Sequence, residues 1–306
     1  MKAVRLTDIN QIETCELGVP TPKNDEILIK ITAVGINPVD WKIASGLLGQ
    51  LIQQPLPMTL GWDYAGEVIN TGGGFLKGDK VYGMKPIGED GTLSEYCAVK
   101  RAHLAQAPES ISLTEAASVP MVALTSWQAL FNAGNVRAKQ RVLIQAGAGG
   151  VGSFAIQLAK VVGAYVITTT SEANREFVLG LGADEVIDYQ TQDVTEVLAE
   201  RPVDVVLESQ SGEFQLDAIK ILKPKGRLVS ISGLSPETVE AAKAANVMAS
   251  FVFVQYNGEQ LRHIAELIDT NQIKVTVSKQ YPAEQIQAAY AESKTGHVRG
   301  KLVATF

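Results

Sequence analysis

The chain has 306 residues with an ordinary composition, 46% hydrophobic and 20% charged, which predicts a globular protein. This length is long for a single hydrophobic core, so we expect two domains. The formal net charge of −6 disfavours nucleic acid as a partner, because an acidic surface repels phosphate backbones. The sequence has no apolar run of about 18 residues, and it therefore predicts no membrane span.

The N-terminal segment alternates apolar and polar residues like a strand and lacks the apolar core of a signal peptide. Two cysteines, Cys15 and Cys97, are too few and too far apart for a disulfide framework or a metal-binding motif. We therefore expect a cytoplasmic protein with two buried or half-buried thiols.

Residues 1–110 contain short apolar runs separated by Gly, Pro and Asn clusters. This spacing predicts an irregular antiparallel β-barrel. Near residue 112 the pattern becomes helical, with Thr114 placed to cap a helix and Glu115 in its first turn. A second helical pattern is predicted to end at Gly134.

From residue 141 onward, apolar runs alternate with helical patterns. The apolar runs cover 141–146, 164–169, 184–187, 203–208, 226–231 and 249–254. Buried strands joined by helical crossovers predict an α/β fold with a doubly wound parallel sheet.

The tail departs from this alternation. Helices are predicted over 259–269 and 283–293, and strands over 275–281 and 301–306. We expect these elements to return to the first domain. The predicted organisation is therefore a β-barrel domain of residues 1–116 and 264–306 and a nucleotide-binding domain of residues 117–263.

A glycine-rich loop follows the first strand of the predicted sheet and opens a helix, the context in which G-x-G-x-x-G binds a dinucleotide. Gly147 would permit the tight turn, Gly149 would let the backbone approach a pyrophosphate, and Gly152 would let the helix pack on its strand. The phosphates would lie at the helix N-terminus, where N–H groups favour anions. The predicted contacts are Gly147, Ala148, Gly149, Gly150, Val151 and Gly152.

The end of the second strand favours NADPH over NADH. An NAD site has Asp or Glu there, whereas this strand ends in the hydroxyl side chains of Thr170 and Ser171, which could bond a 2′-phosphate. Arg175 could pair with that phosphate, although a solvated helix cation is the plain alternative. Glu172 is the contrary signal, and we interpret it as a solvent-facing acid of the first helical turn.

Six motifs together resemble the medium-chain dehydrogenase/reductase superfamily, and more narrowly its zinc-free NADPH:quinone oxidoreductases related to zeta-crystallin. The motifs follow the family's order at residues 35–42, 61–68, 123–130, 145–152, 182–189 and 299–301. The resemblance implies a Rossmann domain combined with a GroES-like β-barrel domain.

Two motifs depart from the zinc-dependent relatives. Those proteins place a Cys ligand where this chain has Asn37, and His-Glu where it has Trp62 and Asp63. A catalytic zinc needs three protein ligands, and the asparagine and tryptophan side chains cannot serve. The sequence therefore predicts no metal.

Without zinc, an easily reduced acceptor is expected. A quinone, or a C=C bond conjugated to a carbonyl, spreads the developing charge, so hydrogen bonds suffice to stabilise it. The prediction is an NADPH-dependent quinone reductase; the alternatives are a 2-alkenal or enone reductase and a non-catalytic NADPH-binding protein.

The resemblance also implies which residues act on the substrate. It places Asn37, Asp40, Trp41 and Tyr64 on barrel loops facing the nicotinamide, with Asn37 or Tyr64 donating to the substrate oxygen. Thr125 would contact the nicotinamide end. A buried structural carboxylate is an equal alternative for Asp40. The tryptophans Trp41 and Trp62 would either form an apolar wall for the substrate or belong to the core.

Further cofactor contacts and a partner surface come from the same resemblance. The contacts are Tyr189, Ser209, Ser232, Gly233 and Phe253, the last in the sixth strand. The loop after the fourth strand differs from the Asp-Thr-Val-Gly-Gly of many relatives. The apolar segment 250–255 would form an exposed sheet edge through which two copies dimerise, the alternative being an edge covered within one chain.

Overall fold

The computed structural model describes residues 1–52 and 54–306, and the chain divides into two compact units. Unit 1 comprises Met1–Leu124 and Gln255–Phe306, and unit 2 comprises Thr125–Val254. Residues 117–124 and 255–263, which the sequence-based limits assign to the nucleotide-binding domain, belong to unit 1 in this division. The limits themselves stay a prediction.

Strands and helices are numbered separately in chain order. The strands are β1 Lys2–Asp8, β2 Gln11–Glu16, β3 Glu26–Ile36, β4 Met58–Thr59, β5 Asp63–Val68, β6 Lys80–Met84, β7 Tyr96–Lys100, β8 Leu104–Gln106, β9 Arg141–Ile144, β10 Tyr165–Thr170, β11 Glu185–Asp188, β12 Val203–Glu208, β13 Leu222–Ser230, β14 Met248–Phe251, β15 Val277–Pro282 and β16 Lys301–Thr305. The helices are α1 Pro38–Ala44, α2 Leu113–Ala117, α3 Pro120–Trp127, α4 Gly150–Val161, α5 Arg175–Gly180, α6 Val194–Leu198, α7 Glu213–Lys220, α8 Pro236–Ala244, α9 Gly258–Asp269 and α10 Ile286–Lys294.

Unit 1 is built on a sheet in which β15, β16, β3, β5, β6 and β8 lie side by side and β7 also pairs with β3. Its pairs are antiparallel except for β15 and β16, which run parallel because α10 carries the chain back between them. A smaller sheet has the order β2, β1, β4. The predicted antiparallel β domain is confirmed, with this one parallel pair as the difference.

Two features at the helix ends of unit 1 differ from the prediction. Helix α1 was not predicted; Pro38 at its first position and Asp40 in its first turn favour a helix start there. Helix α2 is capped by Ser112, whose Oγ accepts from the Glu115 N–H at 3.2 Å, and not by Thr114. Serine reaches the N3 N–H from the N-cap position, whereas Thr114 is already inside the helix.

Helix α3 continues into a π-helical turn over Gln128–Ala133, and the helical segment ends at Gly134 as predicted. Such wider turns accommodate an extra residue within a helix.

Unit 2 contains one parallel sheet with the order β11, β10, β9, β12, β13, β14. Numbered within the unit, this is the order 3-2-1-4-5-6 of a Rossmann fold, so the predicted doubly wound sheet is confirmed. Buried residues such as Leu143, Ile167, Val206 and Leu228 form its core. The last strand ends at Phe251 and is shorter than the predicted run 249–254.

No helix among the described residues is both long and apolar enough to cross a bilayer. The two thiols are as expected, with Cys97 buried and Cys15 half-buried.

Candidate active site

The glycine loop of unit 2 lies between the end of β9 and the start of α4. A Cβ atom on Gly147 would lie 2.1 Å from Thr168 Oγ1, and one on Gly152 would lie 2.3 Å from the carbonyl oxygen of Ala146. Real side chains do not tolerate such distances, so packing alone requires glycine at both positions. A Cβ on Gly149 would approach only the Ala146 oxygen, at 3.3 Å, which leaves this part of the backbone open.

Two threonines of β10 hold the loop in place. The Thr168 hydroxyl donates to the carbonyl of Ile144 at 2.7 Å, and Thr169 Oγ1 accepts from the N–H of Ala146 at 3.1 Å. The N–H of Gly147 also donates to the Thr169 carbonyl at 2.9 Å. The sequence analysis missed this role, although three consecutive threonines beside a glycine loop are the signal that could have indicated it.

The loop fits the phosphates of a dinucleotide. Gly149 is the N-cap of α4, so the N–H groups of Gly150, Val151 and Gly152 belong to the first turn, where a helix has no internal acceptor for them. Ala148 precedes the cap and is buried. Open backbone beside a helix N-terminus is the arrangement that binds a pyrophosphate.

At the end of β10, Thr170 is buried and Ser171 caps a short 3-10 turn. Arg175 Nε donates to Glu172 Oε2 at 2.7 Å, in an i,i+3 ion pair. Glu172 is an exposed acid of the first helical turn, as expected, with 66% of its side chain exposed, and it also pairs with the residue expected to bind the 2′-phosphate. The two side chains meet because residues three apart are neighbours on a helical turn.

The other predicted contacts of unit 2 follow strand ends on the same side of the sheet as the glycine loop. Tyr189 follows β11 and is 52% exposed, and its N–H donates to Thr170 O at 3.3 Å. Ser209 follows β12, and Ser232 and Gly233 follow β13. The carboxyl ends of parallel strands form one edge, which is where open α/β sheets bind ligands.

The remaining predicted residues of unit 2 are Phe253 and Thr125. Phe253 lies beyond the end of β14 and not within the strand; its ring is 6.4 Å from that of Phe251. Thr125 lies in α3 and is 7% exposed.

In unit 1, Asn37 is the centre of a buried polar cluster. Its Nδ2 donates to Asp63 Oδ2 at 2.8 Å, its Oδ1 accepts from Lys301 Nζ at 2.6 Å, and its N–H donates to Asp40 Oδ2 at 2.8 Å. Asp63 Oδ1 also accepts from the N–H of Met121 at 2.8 Å, at the start of α3. The four clustered side chains are each at most 4% exposed.

Burial dominates the electrostatics of this cluster. It raises the pKa of Asp40 to about 8, against the Asn37 hydrogen bond and the Lys301 charge, which lower it. It likewise raises the pKa of Asp63 to about 6, with Lys301 and Asn37 opposing. Burial also lowers the pKa of Lys301, while the two carboxylates raise it. Burial therefore disfavours the charged forms of all three groups, Asp40, Asp63 and Lys301.

The resemblance placed Asn37, Asp40 and Trp41 on barrel loops, but the structure places them at the start of a helix. Asn37 caps α1, and the other two lie within it. The tight bond between Asp40 and the cap N–H starts this helix locally, which explains the difference. Trp41 is half-buried, with Lys42 and Lys294 5.7 and 5.6 Å from its ring.

Tyr64 lies within β5 and is fully buried, and its hydroxyl donates to the carbonyl of His103 at 3.3 Å. Consecutive residues of a strand point to opposite faces, so Tyr64 faces away from the cluster that holds Asp63. Trp62 is also fully buried and donates from Nε1 to the carbonyl of Glu89 at 3.0 Å. The structure thus brings Asn37 and Asp40 together and leaves Tyr64 and Trp62 elsewhere in unit 1.

Lys301 and Asp63 are members of the cluster that the sequence analysis did not select as site residues. Both lie within motifs of the resemblance, at 299–301 and 61–68. Across the described part of the chain, no three His, Cys, Asp or Glu side chains are grouped so as to hold a metal ion.

Two family models match the chain. The alcohol dehydrogenase GroES-like domain matches residues 23–109, and a family described as zinc-binding dehydrogenase matches residues 181–303. The first match covers most of the strands of unit 1 and supports the expected GroES-like domain.

Relatives match nearly the whole chain. The mitochondrial NAD(P)H oxidoreductase RTN4IP1 of Danio rerio is 31% identical and covers 92% of this chain and 84% of the relative. The 2-methylene-furan-3-one reductase of Solanum lycopersicum is 34% identical and covers 99% of this chain and 78% of the relative. The solved structure of the quinone oxidoreductase from Coxiella burnetii has a TM-score of 0.93 at 34% identity and covers 100% of this chain and 99% of that one.

Proposed function

The chain belongs to the medium-chain dehydrogenase/reductase superfamily, in its quinone oxidoreductase-like family, and from this membership we propose that it transfers hydride from NADPH to a quinone without zinc. It is an oxidoreductase that uses a nicotinamide cofactor and a small-molecule substrate. The observation that carries the proposal is the amide of Asn37, which lies where zinc-dependent relatives have a ligand and is bonded at both ends within the protein.

Independence from zinc is supported by the chemistry of the side chains present. The Asn37 oxygen accepts from the Lys301 ammonium, and a cation so close opposes binding of a second cation. The Trp62 indole offers an N–H donor and no lone pair for a metal. Asp63 is engaged by Asn37 and by the N–H of Met121. These residues fit a structural cluster and not an open metal site.

The preference for NADPH is supported by the end of β10. The side chains there are Thr170 and Ser171, with no carboxylate on the strand itself to repel a 2′-phosphate. Arg175 supplies a cation one turn later, and its pairing with Glu172 is the competing interaction. Bound NADPH would supply the hydride; the glycine loop would hold its pyrophosphate and the loops after β12 and β13 its nicotinamide half.

A quinone is favoured as the acceptor because it needs little electrophilic help. Hydride addition to a quinone gives a delocalised oxyanion, which ordinary hydrogen-bond donors stabilise. An enone is the second candidate, and the similarity to a furanone reductase supports it. Both candidates require the same residues for cofactor binding, so the acceptor alone distinguishes them.

For the substrate side we assign Asn37 and Asp40 to hold the start of α1, which carries Trp41. Of Trp41, Trp62 and Thr125, only Trp41 is not buried, so it is the best placed of the three to contact a flat acceptor. We assign no donor role to Asn37 or Tyr64, because both side chains already donate hydrogen bonds within unit 1.

The proposal includes a homodimer formed through the edge at β14. Met248, Phe251 and Phe253 are 46%, 49% and 41% exposed along this edge, and exposed apolar edges favour pairing. A location in the cytoplasm also remains part of the proposal, although the Danio rerio relative is mitochondrial.

The test follows absorbance at 340 nm with NADPH and separately NADH, against 9,10-phenanthrenequinone, 1,4-benzoquinone and a short 2-alkenal, with and without EDTA. We expect NADPH to be consumed with a quinone at a rate that EDTA does not change. Faster consumption with the alkenal would move the assignment to enone reduction. Tight NADPH binding without turnover would indicate a binding protein, and inhibition by EDTA would overturn independence from zinc.

A further inference from the structure

Glu208, the last residue of β12, is fully buried, and its carboxylate bonds the loop that follows its own strand. Oε1 accepts from the backbone N–H groups of both Gln210 and Ser211. Ser211 has a positive φ of 63°, a conformation that non-glycine residues rarely adopt and that must be stabilised by its surroundings. The carboxylate therefore fixes the path of the chain directly after Ser209.

The second oxygen of Glu208 bonds the neighbouring strand. Oε2 accepts from Ser230 Oγ at 2.6 Å, from Ser232 Oγ at 2.8 Å and from Gln215 Nε2 at 2.8 Å. Gln215 Nε2 also lies 2.7 Å from the carbonyl oxygen of Gly233. One side chain thus joins the loop after β12 to the loop after β13.

These two loops would lie at the nicotinamide half of a bound dinucleotide. The end of β10 would bind the adenosine ribose, and the loop after β9 would hold the pyrophosphate. This follows from the strand order β11, β10, β9, β12, β13, β14. The other half of the dinucleotide therefore extends over the ends of β12 and β13. Glu208 would lie beneath that half and away from the 2′-phosphate.

The same network changes the expected role of Ser232. Its hydroxyl donates to Glu208, and its N–H donates to Ser230 Oγ at 3.1 Å. Both of its donors are therefore engaged inside the protein, so it has none left for the cofactor. Its effect on binding should act through the position of the loop.

We propose that Glu208 is a positioning residue that sets the loops after β12 and β13 for the nicotinamide half of the cofactor. The inference rests on the proposed cofactor site and adds a residue that touches no ligand. Its carboxylate is suited to this role because it only accepts hydrogen bonds, and all five of its partners donate.

The test uses Glu208→Gln in the full chain. An amide must turn its NH₂ either toward two backbone N–H groups or toward Gln215 Nε2, so one set of contacts is lost. We expect the Kd for NADPH and for NADH, measured by nicotinamide fluorescence, to rise by the same factor of about ten. The Kd for 2′,5′-ADP, measured by calorimetry, should stay within about twofold of wild type, because this fragment does not reach the two loops.

The matched control is Glu213→Gln, which makes the same chemical change at an exposed residue of α7 and should leave all three Kd values unchanged. Ser230→Ala is the second variant, should Glu208→Gln not fold. Ser230 is fully buried, so it acts on the cofactor only through this network, and we expect about threefold weaker NADPH binding with normal 2′,5′-ADP binding.

Two outcomes would overturn the positioning role. In the first, Glu208→Gln and Ser230→Ala bind NADPH as tightly as wild type. In the second, either variant loses 2′,5′-ADP and NADPH equally, which would show a general loosening of unit 2. Failure of wild type itself to bind NADPH would contradict the proposed cofactor, and that result is read from the wild-type titration alone.

Discussion

Lys301 Nζ donates a hydrogen bond of 2.6 Å to Asn37 Oδ1 and so joins the last strand to the cap of α1. The same ammonium donates to the carbonyl of Ile36, and the lysine is 4% exposed. Because Lys301 fixes the amide oxygen, Asn37 Nδ2 must face Asp63, to which it donates at 2.8 Å. The orientation of the Asn37 amide is therefore set by a cation on one side and an acid on the other.

Lys301→Met should lower the free energy of unfolding by about 3–5 kcal/mol, because it leaves Asp63 and Asn37 Oδ1 buried without their cation. Urea denaturation followed by tryptophan fluorescence measures the change. Lys279→Met is the control: Lys279 lies on the neighbouring strand and is 54% exposed, with its ammonium 3.1 Å from Glu292. A loss no larger than that of the control would contradict a structural role for Lys301.

Asp40→Asn should flatten the pH dependence of stability. Burial raises the native pKa of Asp40 from 3.8 to about 8, so between these values the native state holds a proton that the unfolded chain has released. The free energy of unfolding therefore falls as pH rises through this range, and an asparagine removes that contribution. Its Oδ1 can still accept from the Asn37 N–H.

Urea midpoints of wild type and Asp40→Asn between about pH 5 and about pH 8 test this expectation. Asp63, Lys301 and Tyr290 interact electrostatically with Asp40, and all three residues are kept in the variant. Parallel curves for the two proteins would show that Asp40 is charged in the native state at neutral pH.

Tyr64→Phe separates a structural from a catalytic role. Burial raises the pKa of Tyr64 well above its ordinary value, and its hydroxyl donates to the His103 carbonyl within unit 1. We expect the variant to lose about 1 kcal/mol of stability while kcat for a quinone stays within about twofold of wild type. A tenfold fall in kcat with unchanged stability would instead support donation to the substrate.

The parallel sheet of unit 2 could be predicted because its signal is local. Each buried strand appears as a short apolar run, and each crossover as a helical pattern, so a doubly wound parallel sheet followed from general topology. Helix α1 was missed because seven residues are too few for a helical period to stand out. Its start depends on a capping bond between Asn37 and Asp40, which only the structure shows.

The candidate site also contains some features that the sequence could predict and others that it could not. The glycine positions 147 and 152 follow from spacing, and the close contacts that a Cβ atom would make at each of them agree with it. The contact of Lys301 with Asn37 joins opposite ends of the chain, so no local pattern could indicate it. By contrast, the pairing of Glu172 with Arg175 was within reach of the sequence, since residues three apart meet on a helical turn.

Glu172→Gln should strengthen the preference for NADPH. The change removes a negative charge near the expected 2′-phosphate and releases Arg175, whose Nε now lies 2.7 Å from Glu172. We expect the Kd for NADPH to fall by about threefold while the Kd for NADH changes little. Arg175→Ala is the opposite variant and should narrow the preference. An unchanged ratio of the two Kd values in both variants would exclude this pair from cofactor choice.

Gly149→Ala and Gly152→Ala form a pair that separates binding from packing. A Cβ at Gly152 would lie 2.3 Å from the Ala146 oxygen and 2.7 Å from Gly147 Cα, so helix α4 must move away from its strand. A Cβ at Gly149 meets only the Ala146 oxygen at 3.3 Å and would instead occupy the space that the phosphates need.

We therefore expect Gly152→Ala to lower the melting temperature by several degrees, about 2–4 °C per kcal/mol lost. Gly149→Ala should keep the wild-type melting temperature and weaken NADPH binding by about tenfold. Thermal unfolding without ligand and fluorescence titration with NADPH measure the two effects, and tight NADPH binding by Gly149→Ala would contradict a pyrophosphate site at this loop.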